Sequence, residues 1–172
     1  MATYKLIETV TVGSGGAASI AFTSIPQTYT DLVLVMSIRT NNASVADYAA
    51  ISFNSSTSSF TQKTLAGTGA ATVSANYTTS PDSRIAGQVV GNNATASVFS
   101  SGSLYIPNYT SSTNKSFSYD AARENNTSGT ELGFGAGLWS DVAAITSIAL
   151  TSWAGGTILE YSSASLYGIK NT

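Results

Sequence analysis

At 172 residues the chain has the length of one domain, and only 9% of its residues are charged, against about 25% in an ordinary soluble domain. Its formal net charge is −2 and its seven basic residues are spread singly, which argues against nucleic-acid binding and against attachment to an anionic membrane. The absence of cysteine and histidine excludes disulfides, thiol catalysis, Ser-His-Asp hydrolases and nearly every zinc site.

Alternation of apolar and polar residues predicts strands along the chain, beginning at residues 4–12. There Leu6, Val10 and Val12 share one face, with Glu8 as an exception, before a glycine turn at residues 13–16. The 28 Ser, 23 Thr and 11 Asn residues suit strands and turns and replace charge as the polar surface. Further strands are predicted at residues 19–22, 31–40, 48–54, 83–91, 100–107, 115–121, 130–139, 144–153 and 164–169, with short pieces around 61–74.

These nine to eleven short strands, with no linker between them, predict an all-β fold. We expect a single antiparallel β-sandwich domain over residues 1–172, jelly-roll-like in its winding. A helical turn is predicted only at residues 140–145, where Ser140 or Asp141 is placed to cap it.

Two glycine-containing strands are unusual. Gly133, Gly135 and Gly137 alternate with large residues, which predicts a bent strand crowded by a neighbouring sheet in preference to a ligand contact. The last residues, "SASLYGIKNT", are apolar where many chains end in a polar tail. They predict a closing strand with Leu166 and Tyr167 on opposite faces, paired inside a sheet.

The acidic residues are scattered, so no catalytic, metal-binding or cofactor-binding residue is predicted. The closest grouping is Asp120 and Glu124 around Arg123, which we interpret as a solvated turn because the calcium-loop pattern is missing. The glycine-rich residues 13–16 and 66–71 lack the lysine of a phosphate loop. An enzyme that works with two carboxylates, such as a depolymerase using Asp120, Glu124 or Asp141, is the least favoured alternative.

Six aromatic residues lie near predicted strand ends or loops, where a flat ring is able to stack on a sugar or anchor a protein partner. Core or rim packing is the more frequent role of such rings, so the binding residues stay unknown at this level. The six are Tyr48, Tyr77, Tyr109, Trp139, Trp153 and Tyr161.

Nothing in the sequence predicts membrane insertion or export. The N-terminus "MATYKLIETVTV" lacks the basic segment and apolar run of a secretory signal. The longest aliphatic run, residues 32–36, is too short to cross a bilayer. We therefore expect a soluble protein made without a cleavable signal peptide.

Four stretches resemble a family of small β-rich virion proteins of tailed bacteriophages, common in phages of aquatic bacteria including cyanobacteria. They are "FTSIPQTYTDLVLVMSIRTN" (22–41), "LYIPNYTSSTNKSFSYD" (104–120), "GLWSDVAAITSIALT" (137–151) and "SLYGIKN" (165–171). The family's proteins are described as structural proteins, head appendages or tail fibres. The resemblance implies a location in the virion and assembly in the host cytoplasm.

The resemblance and the composition together lead to one expectation. The chain is expected to be a non-enzymatic virion protein on the particle exterior, decorating the head or forming part of an appendage. Its partners would be other virion proteins, a major capsid or tail protein, bound through an apolar and aromatic patch. A homo-oligomer is expected, with a trimer as the first hypothesis. The alternative is a tail-fibre module that binds a receptor or a host-surface glycan.

Overall fold

The structure, a computed structural model, describes residues 3–77, 84–126 and 129–170. These residues contain twelve β-strands. Their bounds are β1 Thr3–Thr11, β2 Ser19–Phe22, β3 Asp31–Ser37, β4 Ala46–Phe53, β5 Phe60–Gly67, β6 Thr72–Tyr77, β7 Ile85–Val90, β8 Ser101–Ile106, β9 Lys115–Arg123, β10 Glu131–Trp139, β11 Ile148–Ser152 and β12 Ser163–Lys170.

The strands form two antiparallel sheets packed as a sandwich. The large sheet has eight strands in the order β1-β12-β3-β8-β9-β10-β5-β6, and the small sheet has four in the order β2-β11-β4-β7. Every pairing between named strands is antiparallel. The predicted all-β antiparallel sandwich is therefore confirmed.

The predicted strands agree closely with the observed ones, but the predicted helical turn at residues 140–145 is wrong. No helix forms there. Instead, the backbone N–H of Ala143 donates to Oδ1 of Asp141 at 2.8 Å. A carboxylate that bonds the N–H two residues ahead forms an Asx-turn, which competes with helix capping for the same side chain.

A bulge in β1 reverses the predicted orientation of its first residues. The register with β12 shifts between Leu6 and Glu8, so that Leu6 lies opposite Tyr167 and is exposed. Ile7 and Val10 pack against the core instead. An inserted residue moves the side chains before it to the other face of the sheet, and simple alternation does not reveal this.

Aromatic rings fill one end of the core between the two sheets. Phe53 of the small sheet meets Phe117 and Trp139 of the large sheet edge-on, with ring centroids 5.8 and 5.6 Å apart. Phe60 stacks on Trp139 at 6.2 Å. All four side chains are almost completely buried. Such ring pairs contribute about 0.5–1.5 kcal/mol each beyond the area that they bury, so this cluster fixes how β4, β5, β9 and β10 pack.

The glycines of β10 make room for side chains that lie flat over them. A Cβ atom at Gly135 would overlap the ring of Tyr119, and one at Gly137 would overlap the ring of Phe117. Both rings come from β9, where these residues are the direct cross-strand partners of the two glycines. Crowding by the neighbouring sheet, as predicted, occurs only at Gly133, where a Cβ would overlap Gln88 of β7. At Gly135 and Gly137 the prediction is wrong about the source, because the crowding side chains come from the adjacent strand of the same sheet.

The strand β12 is one that the large sheet requires. β12 pairs with β1 on one side and with β3 on the other, so it is an interior strand of the large sheet. Leu166 is completely buried, while Tyr167 lies on the opposite, outer face. The predicted closing strand is confirmed.

Candidate functional site

Large apolar side chains collect on the outer face of the large sheet, the face turned away from the small sheet. Ten large hydrophobic side chains are exposed in the described part of the chain, and three of these lie outside the strands, at Val142, Trp153 and Tyr161. The other seven all lie on strands of the large sheet: Tyr4, Leu6, Val35, Leu65, Tyr105, Leu132 and Phe134. A soluble protein rarely concentrates exposed apolar residues in this way without a binding role.

The register of the strands shows that part of this face is continuous. Leu6, Tyr167, Val33 and Tyr105 lie directly opposite one another in turn, across β1, β12, β3 and β8. Tyr4 lies two residues from Leu6 on the same face. We call these five residues the tyrosine cluster. Cross-strand neighbours are within side-chain contact, so the cluster forms one surface across four strands.

A second group lies on β5 and β10. Phe134 is directly opposite Leu65, and Leu132 lies two residues along β10 on the same face. We call these three residues the Phe134 cluster. Phe134 is 52% exposed although β10 is an interior strand of the sheet. The inner face of β10 carries the glycines, and the Tyr119 and Phe117 rings lie over it, so Phe134 is on the outer face.

A polar strand separates the two clusters. The outward residues of β9 include Ser116, Ser118 and Asp120, and all three are exposed. Ser103 of β8 donates its hydroxyl to Oδ1 of Asp120 at 2.5 Å, which holds the carboxylate on this face. The outer face therefore consists of two apolar regions divided by hydroxyl and carboxylate groups, the mixture that is usual in a protein-binding surface.

Asp31 fixes the ring of Tyr105 at one margin of the tyrosine cluster. The Tyr105 hydroxyl donates to Oδ2 of Asp31 at 3.0 Å, and the N–H of Asn108 donates to Oδ1 at 2.9 Å. Burial, together with the hydrogen bond and the negative charge of Asp31, raises the pKa of Tyr105 above its usual 10.0. The hydrogen bond to Asp31 holds the ring in one orientation, which lowers the entropy that binding would cost.

The outer face of the small sheet is different. Its strands present small side chains to solvent, including those of Ser19 and Ala21, which are exposed, and Ser52, Ala149 and Thr151, which are half-buried. None of the seven large exposed side chains in strands lies on this sheet. Of the two sheets, the large one therefore has the more apolar outer face among the described residues.

The structure separates the six aromatic residues that the sequence marked. Tyr109 and Trp139 are core residues, whereas Trp153 and Tyr161 are 42% and 73% exposed in the loop between β11 and β12. Tyr48 is half-buried and meets Trp153 edge-on at 6.3 Å. Tyr77 lies in β6, and its side chain is outside the described part of the structure.

Two buried charged side chains hold the loops at the end of the sandwich where Trp153 lies. Asp47 accepts hydrogen bonds from the hydroxyls of Thr40 and Ser152 at 2.8 and 2.7 Å, and from the N–H of Ala154 next to Trp153 at 3.3 Å. The Arg39 guanidinium donates to four backbone carbonyls of the loop after β7, those of Asn92, Ala94, Thr95 and Val98. Hydrogen bonds to Asp47 and from Arg39 therefore fix the loops at this end of the sandwich.

The three acidic residues of the enzyme alternative, Asp120, Glu124 and Asp141, lie at different places in the described part of the structure. Asp120 and Arg123 lie in β9 and not in the predicted turn, with Asp120 on the outer face and Arg123 buried beside Glu131 at 2.8 Å. Glu124 accepts the N–H of Asn126, and Asp141 lies in the loop after β10. Within residues 3–77, 84–126 and 129–170, no group of three or more acidic side chains is positioned to hold a metal ion.

The described residues contain no helix that is long and apolar enough to span a bilayer. No protein-family model matches the chain, and no curated protein matches it significantly.

The outer-face residues are the ones that sequence reasoning missed. The sequence analysis assigned no face to Leu132 and Phe134, and Leu65 lay in the short strand pieces predicted around residues 61–74. One signal was present: in "ELGFGAGLW" a glycine face alternates with a bulky face. When rings from a neighbouring strand cover the glycines of a strand, the glycine face is the inner face. The large residues that alternate with those glycines then lie on the outer face.

Replacing Tyr109 by Phe is expected to lower the free energy of unfolding by about 1–2 kcal/mol at neutral pH. In alkali, the free energy of unfolding should fall less steeply with pH in the variant than in the original protein. The buried Tyr109 hydroxyl donates to the carbonyl of Pro26, which the substitution leaves without this donor. Burial raises the pKa of Tyr109 above 10.0 in the folded state, so its contribution is complete below pH 10.0 and falls as the pH rises toward the folded pKa.

Urea unfolding of both proteins at pH values from 7 to well above 10.0 measures this difference. Other groups that titrate in the range, Lys115 and Tyr105 among them, are present in both proteins and cancel in the comparison. Parallel pH profiles for the two proteins would contradict the prediction.

Proposed function

We propose that this chain is a non-enzymatic structural protein on the exterior of a bacteriophage virion, a head-decoration or appendage protein that binds other virion proteins. The observation that carries the proposal is the concentration of seven large exposed apolar side chains on one face of the large sheet. A decoration protein needs a broad apolar face that remains soluble before assembly. Burial of that face against a capsid or tail protein would supply the binding free energy without any catalytic residue.

The strand order supports a jelly-roll winding for the sandwich. Without the hairpins β5–β6 and β9–β10, the two sheets have the orders β1-β12-β3-β8 and β2-β11-β4-β7. This is the order expected when two Greek keys wind into an eight-stranded jelly roll, an architecture that is frequent in viral capsid and lectin domains. Both hairpins extend the same sheet, and they bring the Phe134 cluster to its outer face.

Assembly of particles tests the docking face. Phages that encode Phe134→Lys are expected to incorporate the protein with at least about 30-fold weaker affinity, since a central apolar anchor is typically worth about 2 kcal/mol or more. Asp120 lies opposite Phe134 and would accommodate the new ammonium group, so the fold should persist. The measurement is the amount of the protein per purified particle by quantitative mass spectrometry.

Val142→Lys is the matched control. Val142 is exposed in the loop after β10 and belongs to neither apolar cluster, and the substitution adds the same charge. Particles should retain this variant at the normal level. Equal retention of both variants, with both proteins folded, would reject the large sheet as the docking face.

A tail-fibre module that binds a glycan receptor is the second candidate function. The exposed rings of Trp153 and Tyr161 and the brace of Trp153 against Tyr48 favour it, because a held aromatic ring is a suitable stacking platform for a sugar. Copy number separates the two functions. Hundreds of copies per particle would favour head decoration, and a handful would favour a tail-tip receptor-binding role.

A further inference from the structure

The free edges of the two sheets are not equivalent. β1 and β6 are the edges of the large sheet, and β2 and β7 are the edges of the small one. An edge strand presents unpaired N–H and C=O groups to any other strand that approaches, and natural proteins usually block this pairing.

Both edges of the small sheet are restricted. β2 is only four residues long. At β7, the side-chain amide of Gln62 replaces a neighbouring strand: it accepts the N–H of Ile85 at 2.9 Å and donates to the Ile85 carbonyl at 2.8 Å. At the other end of β7, the N–H of Thr40 donates to the carbonyl of Val90 at 2.8 Å. The backbone of β7 is therefore occupied at both ends.

β1 is restricted as well. It contains charged residues, Lys5 and Glu8, on an otherwise uncharged strand, and its ladder with β12 is interrupted by the bulge between Leu6 and Glu8. Charges and bulges on an edge strand are established obstacles to pairing with another chain.

β6 has none of these obstacles. Its sequence, "TVSANY", contains no charged residue and no proline. Six consecutive residues pair with β5 in unbroken register, from Thr72 opposite Gly67 to Tyr77 opposite Gln62. Within the described residues, β6 is the terminal strand on its side of the sheet. It is thus the one edge strand that is regular, uncharged and longer than four residues.

We propose that β6 pairs with β6 of a second copy of this chain, antiparallel, around a two-fold axis perpendicular to the sheet. A strand that meets its own copy by two-fold rotation is antiparallel to it, and any charged residue near the axis would meet a like charge. The absence of charge from β6 removes this repulsion and suits self-pairing. This inference goes beyond the proposed docking function and does not depend on it.

The pairing closes at two copies and changes the outer face. Among the described strands each copy has one open edge, β6, and the dimer uses both, so it does not grow into a filament. The Phe134 cluster lies on the two strands next to β6, and pairing would place Leu65 of each copy about 14 Å from its counterpart, three strand spacings of ~4.8 Å. The two Phe134 clusters would then lie on the same face of one extended sheet, on either side of the polar β6 strands, which carry the exposed Ser74 opposite Leu65.

Sedimentation equilibrium of the full chain over a roughly hundredfold concentration range tests the proposal. The expected result is a reversible monomer–dimer equilibrium. Ser74, opposite Leu65 on β6, is exposed, and Ser74→Lys places two ammonium groups beside the axis. We expect this variant and Ser74→Glu each to weaken the dimer on the order of tenfold without lowering the melting temperature. An equimolar mixture of the two variants should restore association.

Thr11→Lys, which adds the same charge to the exposed end of β1, is the control and should leave the dimer unchanged. Hydrogen exchange supplies a second measurement: amides of residues 72–77 should become more protected as the protein concentration rises. A monomer at every concentration, a trimer, or a dimer that Ser74→Lys does not weaken would overturn the proposal.

Discussion

A chain that lacks residues 165–172 is expected not to fold. β12 supplies the hydrogen-bonded partner of both β1 and β3, so the deletion leaves two strands of the large sheet without their neighbour. It also removes the completely buried Leu166, whose truncation to alanine alone would cost about 2–5 kcal/mol. The sum approaches or exceeds the total stability of about 5–15 kcal/mol that is usual for a domain.

Circular dichroism and thermal unfolding of the purified fragment measure this effect. Deletion of residues 171–172 alone is the matched control, because β12 ends at Lys170 and keeps its full ladder. The control should melt at the temperature of the intact chain. A soluble fragment ending at residue 164 with an unchanged melting temperature would show that the closing strand is dispensable.

Gly135→Val is expected to lower the free energy of unfolding by about 3–5 kcal/mol. The new Cβ would occupy the space of the Tyr119 ring, and that ring is buried in the core. Either the ring leaves the core or β9 and β10 move apart. Both responses lose the packing that the two strands share.

A double-mutant cycle with Tyr119→Ala identifies the cause. Because the alanine removes the ring that the valine would strike, the double variant should be more stable than the sum of the single effects predicts, by about 2 kcal/mol. Gly67→Val on β5 is the control: a Cβ there meets nothing within 4 Å, so the change should stay within about 0.5 kcal/mol. Additive effects of Gly135→Val and Tyr119→Ala would contradict the steric explanation.

Much of the local structure was determined by the sequence alone. The pattern of alternating residues placed β2 at residues 19–22 and came within three residues at each end for β3, β8 and β10. It did so because a residue's preference for an extended, half-buried position is a local property. The absence of histidine and cysteine likewise restricts the available chemistry whatever the fold.

The tertiary structure decided which face of each strand is buried and which is exposed. The bulge in β1 turned Leu6 outward, and the Tyr119 and Phe117 rings over the β10 glycines turned Phe134 outward. The pairing of β12 with β1 joins the two ends of the chain, and no local pattern encodes which strands will meet. A strand's alternation shows that its two faces differ, but only its neighbours determine which face is covered. For this reason the sequence predicted the sandwich, whereas the apolar outer face and the open edge at β6 became visible only once the strands were paired.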